Sequence, residues 1–113
     1  MPPPLARERR ITRSGEYRRI YDGGEKVVGR YLVCFYTAPA EGPTRVGLTV
    51  SGKVGNAVER NRVKRRLREA IGQELVKSDP GVLMVYVAKK RILDATFDDI
   101  LRDIEKILAK VGK

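Results

Sequence analysis

A chain of 113 residues is one domain's worth of protein, long enough for a single modest core and too short for two. Apolar residues make up 42% of it, which argues against disorder, while 24 Lys and Arg against 14 Asp and Glu leave a net charge of +10. That balance points to a polyanion as partner, nucleic acid before anionic membrane, and the absence of histidine with a lone Cys34 argues against acid–base catalysis and thiolate metal clusters.

Residues 1–13 are proline-rich and then basic (Arg7, Arg9, Arg10, Arg13), which predicts a mobile arm, free or laid along something anionic. Met1-Pro2-Pro3-Pro4-Leu5 lacks the apolar core of a signal peptide, and no stretch approaches the ~20 apolar residues of a membrane span, so a cytoplasmic protein is expected. Ser14 can cap a short helix that Gly23-Gly24 would stop, with Tyr17, Ile20 and Tyr21 at i, i+3, i+4. Arg30 to Thr37 reads as a strand with Tyr31, Val33 and Phe35 on one face and Leu32, Cys34 and Tyr36 on the other. Both faces are apolar, so both should be covered, and Cys34 reads as a small buried apolar residue.

Ala38 to Pro43 is a predicted turn, and Arg45 to Ser51 a strand with Val46, Leu48 and Val50 inward and Arg45, Gly47 and Thr49 outward. A glycine-bearing loop, Gly52 to Gly55, leads into a long helix from about Asn56 to Val76 whose core stripe is Val63, Leu67, Ala70 and Ile71. Val82 to Ala88 is an almost unbroken apolar run, as a central strand should be. The last helix, beginning near Asp94 or Thr96, carries Phe97, Ile100, Leu101, Ile104, Ile107, Leu108 and Val111. This order gives an α+β sandwich, one sheet with helices packed on it, in a single domain.

The chemistry concentrates in Arg60 to Arg68, where six of nine side chains are cationic. At 100° per residue Asn61, Lys64, Arg65 and Arg68 form one stripe without an acidic partner, while Arg62 and Arg66 lie on the far flank with Glu69, which can pair with either. An unpaired cationic stripe suits phosphates, and arginine's planar fork suits them best. The chain's positive excess is uneven: 16 basic and 8 acidic residues up to Val76, against 8 and 6 from Lys77 on. The Gly52–Gly55 loop opens a helix N-terminus, which favours anions, though a tight strand-to-helix turn explains it equally well. Tyr17, Tyr21, Tyr31 and Phe35 form an aromatic set that could stack on unpaired bases or simply pack a core. Asp99 and Asp103, at i, i+4, could hold a cation, but Arg102 and Lys106 among them make a salt-bridged solvent face the better expectation. Neither a catalytic nor a metal-ligating residue is expected in the protein.

The run Arg45 to Ser51, Lys53 to Val58 and Arg60 to Glu69 closely resembles the signature of the bacterial ribonuclease P protein, its second half matching that family's RNR motif. Looser likeness extends to Arg13–Tyr21 and to Ala95-Thr96-Phe97. The resemblance implies the protein subunit of ribonuclease P, which binds the catalytic RNA and the 5′ leader of precursor tRNA while the RNA removes the leader. It further implies a ribosomal protein S5 domain 2-like sandwich of about four strands and three helices with a left-handed βαβ crossover, against the usual right-handed rule. Lys53, Asn56, Arg60, Asn61, Arg62, Lys64, Arg65 and Arg68 would then contact the catalytic RNA. Tyr17, Tyr21, Tyr31 and Phe35 would floor a leader cleft on another part of the surface. The resemblance implies no cofactor on the protein alone, Mg2+ in the RNA holoenzyme, and no required protein partner. Two positions depart from the family pattern: Gly52 replaces the first of two lysines, and tyrosines at 17 and 21 stand where phenylalanine is common. The rival expectation is a non-catalytic RNA-binding module of KH or ribosomal-protein type. A KH domain sets its GxxG between two helices, whereas this loop follows a strand. A protein-only nuclease is disfavoured by the missing catalytic groups.

Overall fold

The computed structural model describes residue 5, residues 7–37 and residues 42–111. Seven main elements follow in order: α1 (Ser14–Gly23), β1 (Glu25–Val28), β2 (Leu32–Thr37), β3 (Arg45–Thr49), α2 (Ala57–Lys77), β4 (Leu83–Ala88) and α3 (Phe97–Lys110). Short 3-10 turns lie at Arg7–Arg9 and Lys90–Asp94. The strands form one sheet in the order β1-β2-β4-β3. β1 and β4 flank β2 antiparallel, and β3 pairs parallel with β4, Arg45 opposite Leu83 and Thr49 opposite Val87. A parallel neighbour cannot be reached by a hairpin, so the chain needs a long crossover, and α2 is that crossover.

Period-two alternation sorts the sheet residues between two helix layers. Leu32, Cys34 and Tyr36 of β2 and Met84, Tyr86 and Ala88 of β4 face α2 and α3, packing with Val63, Leu67, Ala70, Ile71, Ile100, Ile104 and Ile107. Phe35, Leu83, Val85 and Val87 face the other way, towards Ile11 and α1, whose Ile20 meets Val85. Both faces of the central strands are therefore covered, as their apolar content requires. Burial drives the Cys34 thiol up to about 12, so it is an inert core side chain. No described helix is long and apolar enough to cross a membrane.

Several local expectations need correction. β1 is a fourth strand without a sequence signal: Glu25, Lys26 and Val28 are exposed on the sheet edge, so burial imposes no alternation there. Strand β2 starts at Leu32 rather than Arg30, because Arg30 and Tyr31 close the hairpin from β1. The N-cap of α1 is Arg13, without a side-chain hydrogen bond, and Ser14 is the first helical residue. Gly47 lies on the face opposite Val46 and Leu48, but that face is not open: the Tyr17 ring covers Gly47 and buries it. Of the arm expected at 1–13, residues 1–4 and 6 lie outside the described residues and the rest is docked: Leu5 and Ile11 are each 3% exposed, Leu5 N–H donates to the Arg68 carbonyl at 3.1 Å, and Ile11 N–H to the Val46 carbonyl at 2.8 Å. Leu5 and Ile11 anchor the basic residues between them. Most of the expected Ala38–Pro43 turn lies outside the described residues.

Among the described residues Asp99 and Asp103 form no salt-bridged face. Asp103 is 6% exposed and its carboxylate accepts the backbone N–H groups of Arg30, Tyr31 and Leu32 at 2.8, 2.9 and 3.1 Å, fixing the β1–β2 hairpin. Asp99 completes a capping box with Thr96, which lowers its carboxyl from the usual range chiefly through the Thr96 backbone N–H.

Candidate nucleic-acid interface

α2 is fixed at its N-terminal end. Asn56 Oδ1 accepts the Glu59 N–H at 2.9 Å while Glu59 Oε1 accepts the Asn56 N–H at 3.0 Å, a complete capping box. Val63, Leu67, Ala70, Ile71 and Leu75 then bury one side of the helix and turn the cations outward. Asn61, Arg62, Arg65 and Arg66 are exposed along the crest, and Arg60, Lys64 and Arg68 are half-buried at its margins. Arg60 donates from a guanidinium nitrogen to the Gly55 carbonyl at 3.1 Å, and Lys53 stands exposed in the preceding turn.

The loop's anion-binding amides are partly occupied from within. Glu59 already takes the Asn56 N–H, and a Cβ at Gly55 would stand 2.6 Å from the same carboxylate. Asn56 thus has a structural task that spacing alone did not reveal. The expected pairing of Glu69 with Arg62 or Arg66 is not formed. Ion pairs among the described residues join Arg9 to Asp79, Arg45 to Glu16 and Lys77 to Glu74, and none involves Arg60 to Glu69. Both flanks of the Arg60–Arg68 stretch are therefore free of ion pairs among the described residues, not one.

Three of the four aromatic candidates come together. Tyr17 and Tyr21 rings lie 6.4 Å apart, and Tyr21 meets Phe35 edge-on at 5.0 Å. Tyr21 O–H pairs with Thr49 Oγ1 at 2.6 Å, and the Lys26 ammonium sits 5.8 Å from the Phe35 ring. Tyr17 is tied more tightly: its phenol accepts the Leu48 N–H at 3.1 Å and faces the Ile11 carbonyl at 3.2 Å. Burial raises its pKa above the usual value. Tyr31 does not join them. It precedes β2, packs against the α2–α3 core and carries the Arg30 guanidinium 5.4 Å from its ring.

Of the aromatic set Tyr17 alone reaches the cationic stripe; Tyr21 and Phe35 lie on the sheet face opposite α2 and α3. A concavity of about 370 Å³ between the N-terminal segment, β3 and α2 is lined by Tyr17, Lys64 and Arg68 together. Arg7 and Arg10 complete its charge, and were missed because their segment read as an arm; the apolar Leu5 and Ile11 on either side were the available signal. Arg10 is held in place by two hydrogen bonds to the Leu5 carbonyl, at 3.1 and 3.0 Å. Cations around a partly apolar floor suit a nucleotide chain, phosphates on the rim and a base against the ring. No group of three or more Cys, Asp or Glu that could hold a metal ion is gathered among the described residues.

The family model described as Ribonuclease P matches residues 5–112. The ribonuclease P protein component of Clostridioides difficile (strain 630) is 33% identical over 105 residues, 92% of each chain. That of Caldanaerobacter subterraneus is 36% identical over 103 residues, 89% of this chain and 87% of the relative. The structure of the Staphylococcus aureus RNase P protein superposes with a TM-score of 0.78 at 32% identity, covering 93% of this chain and 98% of that one. The Thermotoga maritima RNase P protein shares the fold, with a TM-score of 0.83 at 20% identity over 92% and 98% of the two chains. The chain belongs to the Ribonuclease P family of protein components.

Proposed function

We propose that this protein acts as the RNA-binding subunit of ribonuclease P, holding the catalytic RNA on α2 and the 5′ leader of precursor tRNA against the rings of Tyr17, Tyr21 and Phe35. The observation that carries the reading is the crest of α2, where Asn61, Arg62, Arg65 and Arg66 stand exposed with no ion pair among the described residues. Like charges at this spacing repel, and a row of RNA phosphates would offset that repulsion. The concavity beside it gives a single strand a route from Lys64 and Arg68 to Tyr17. Tyr21 and Phe35 continue the ring surface beyond Tyr17.

In this reading the cleavage chemistry belongs to the RNA, and any Mg2+ the reaction uses is assigned to the RNA as well. The protein raises the local concentration of positive charge and orients the leader. No protein partner is needed for either task, and the cytoplasm, where tRNA precursors are made, is the proposed location. The test is cleavage of precursor tRNA by the purified protein, by the catalytic RNA, and by both. The expected result is no cleavage by protein alone and tighter precursor binding when the protein joins the RNA. Cleavage by the protein alone would overturn it.

A further inference from the structure

The 3-10 turn at Lys90–Asp94 carries a second cationic surface, outside the stripe and the ring cleft. It follows β4 and is fastened at its start: the Lys89 N–H donates to the Tyr31 carbonyl at 2.9 Å, and the Lys89 ammonium to the Gly29 carbonyl at 2.6 Å. Ile92 anchors it, buried against α2 and α3. Lys90 and Arg91 are left exposed and, with Lys89, Leu93 and Asp94, line a shallow depression.

Leu93 also lines a neighbouring depression with Glu59, Arg62 and Arg66 of α2. The two depressions therefore form one band that runs from α2 across Leu93 to Lys90 and Arg91. Its cations are Lys89, Lys90, Arg91, Arg62 and Arg66 and its acids are Asp94 and Glu59; five less two leaves +3. Glu59 is occupied by its capping box, and none of these cations is in an ion pair among the described residues. Arg62 and Arg66 lie on the side of α2 away from Lys64 and Arg68, which border the other concavity. α2 is thus a ridge between two positive flanks.

We infer that this band extends the catalytic-RNA surface beyond α2, Lys90 and Arg91 holding a further stretch of phosphate backbone that continues from Arg62 and Arg66. The inference rests on the reading of α2 as the catalytic-RNA helix. Continuity favours that occupant: RNA lying on the exposed crest at Asn61 and Arg65 reaches Arg62 and Arg66 without leaving the protein. The leader is the less suited occupant, because the Tyr21 and Phe35 rings pack on the opposite face of the sheet from α2 and α3.

The test uses the full chain and salt titrations of binding to the catalytic RNA for Lys90→Ala/Arg91→Ala, for Lys90→Arg/Arg91→Lys and for Arg65→Ala. The alanine pair should make the slope of log K against log[salt] shallower by about 1.4–1.8, as expected for two lost phosphate contacts. The charge-conserving pair should keep the slope. Binding of precursor tRNA to the assembled complex should be unchanged at saturating protein. An unchanged slope for the alanine pair beside a shallower one for Arg65→Ala would overturn this inference and leave the reading of α2 intact. Unchanged slopes for both would overturn the two together. A charge-conserving pair that loses slope like the alanine pair would overturn it, by showing that shape and not charge is read. Weakened precursor binding with catalytic-RNA binding intact would overturn it by moving the occupant to the substrate.

Discussion

Tyr17 lies so close to Gly47 that a Cβ at position 47 would stand 2.6 Å from its Cζ atom. The ring is held there by its phenol, which accepts the Leu48 N–H. Gly47→Ala should therefore push the ring off β3, break that hydrogen bond and destabilise the fold by about 1–3 kcal/mol. Thermal unfolding measures this. An unchanged melting temperature would mean that the ring has another place to go and that α1 is not fixed through Tyr17.

Asn56 caps α2, and its proposed RNA contact can be separated from that task. Asn56→Ala should lower stability by about 0.5–2 kcal/mol, the usual loss for an N-cap. Asn56→Asp keeps the acceptor and should keep most of that stability, but adds a negative charge where RNA phosphates are proposed to lie. If Asn56 touches RNA, the aspartate variant loses affinity at normal stability; equal affinity for Asn56→Asp and the parent protein would confine Asn56 to capping.

Tyr21 tests the leader cleft more cleanly than Tyr17, whose phenol is committed to β3. Base–aromatic stacking contributes roughly 1–3 kcal/mol per base, so Tyr21→Ala should weaken precursor binding by about 5- to 150-fold. Mature tRNA, which has no leader, should bind the holoenzyme as before. Parallel loss for both RNAs with a lowered melting temperature would show that Tyr21 only packs against Phe35. Tyr31→Ala should spare precursor affinity, since Tyr31 lies apart from the other rings.

Asp79 ties the N-terminal segment to the start of β4. Burial by itself would raise its pKa, but hydrogen bonds from the Thr44 hydroxyl and from the Gly81 and Thr44 N–H groups, with Arg9 nearby, bring it below the usual aspartate range. A depressed carboxylate stabilises the fold above its unfolded pKa, and that contribution disappears as pH falls through the folded value. Stability should therefore decline below about pH 4, and less steeply in Asp79→Asn. Parallel acid profiles for the two proteins would remove Asp79 from the account.

The two long helices were legible in the sequence because burial repeats every 3.6 residues along them: Val63, Leu67, Ala70 and Ile71 all prove buried, as do Ile100, Ile104 and Ile107. The central strands were legible for the same reason at period two. What escaped was set by partners far along the chain. β1 has a mostly exposed edge and needs only backbone pairing, so Glu25–Val28 carries no pattern. Asp103 looks like a surface acid until the hairpin at Arg30–Leu32 is brought to it across more than 70 residues of chain. Gly47 looked outward because nothing local says that Tyr17 will cover it. The cationic stripe was visible as composition and period, but its junction with Tyr17 depends on how α1, β3 and α2 meet. The Glu69 pairing failed because a spacing of i, i+3 or i+4 permits an ion pair without requiring one, and exposed pairs contribute little.

The most direct test of the central proposal is the salt dependence of binding to the catalytic RNA. If Lys53 and the α2 cations together neutralise about six phosphates, log K should fall with log[salt] at a slope of roughly −4 to −5. Replacing Asn61, Lys64, Arg65 and Arg68 by alanine should bring that slope up by roughly 2 to 3, for three lost charges, while the fold persists. A parent slope shallower than about −2, or one the four replacements leave unchanged, would contradict the account and leave α2 as a solvated helix.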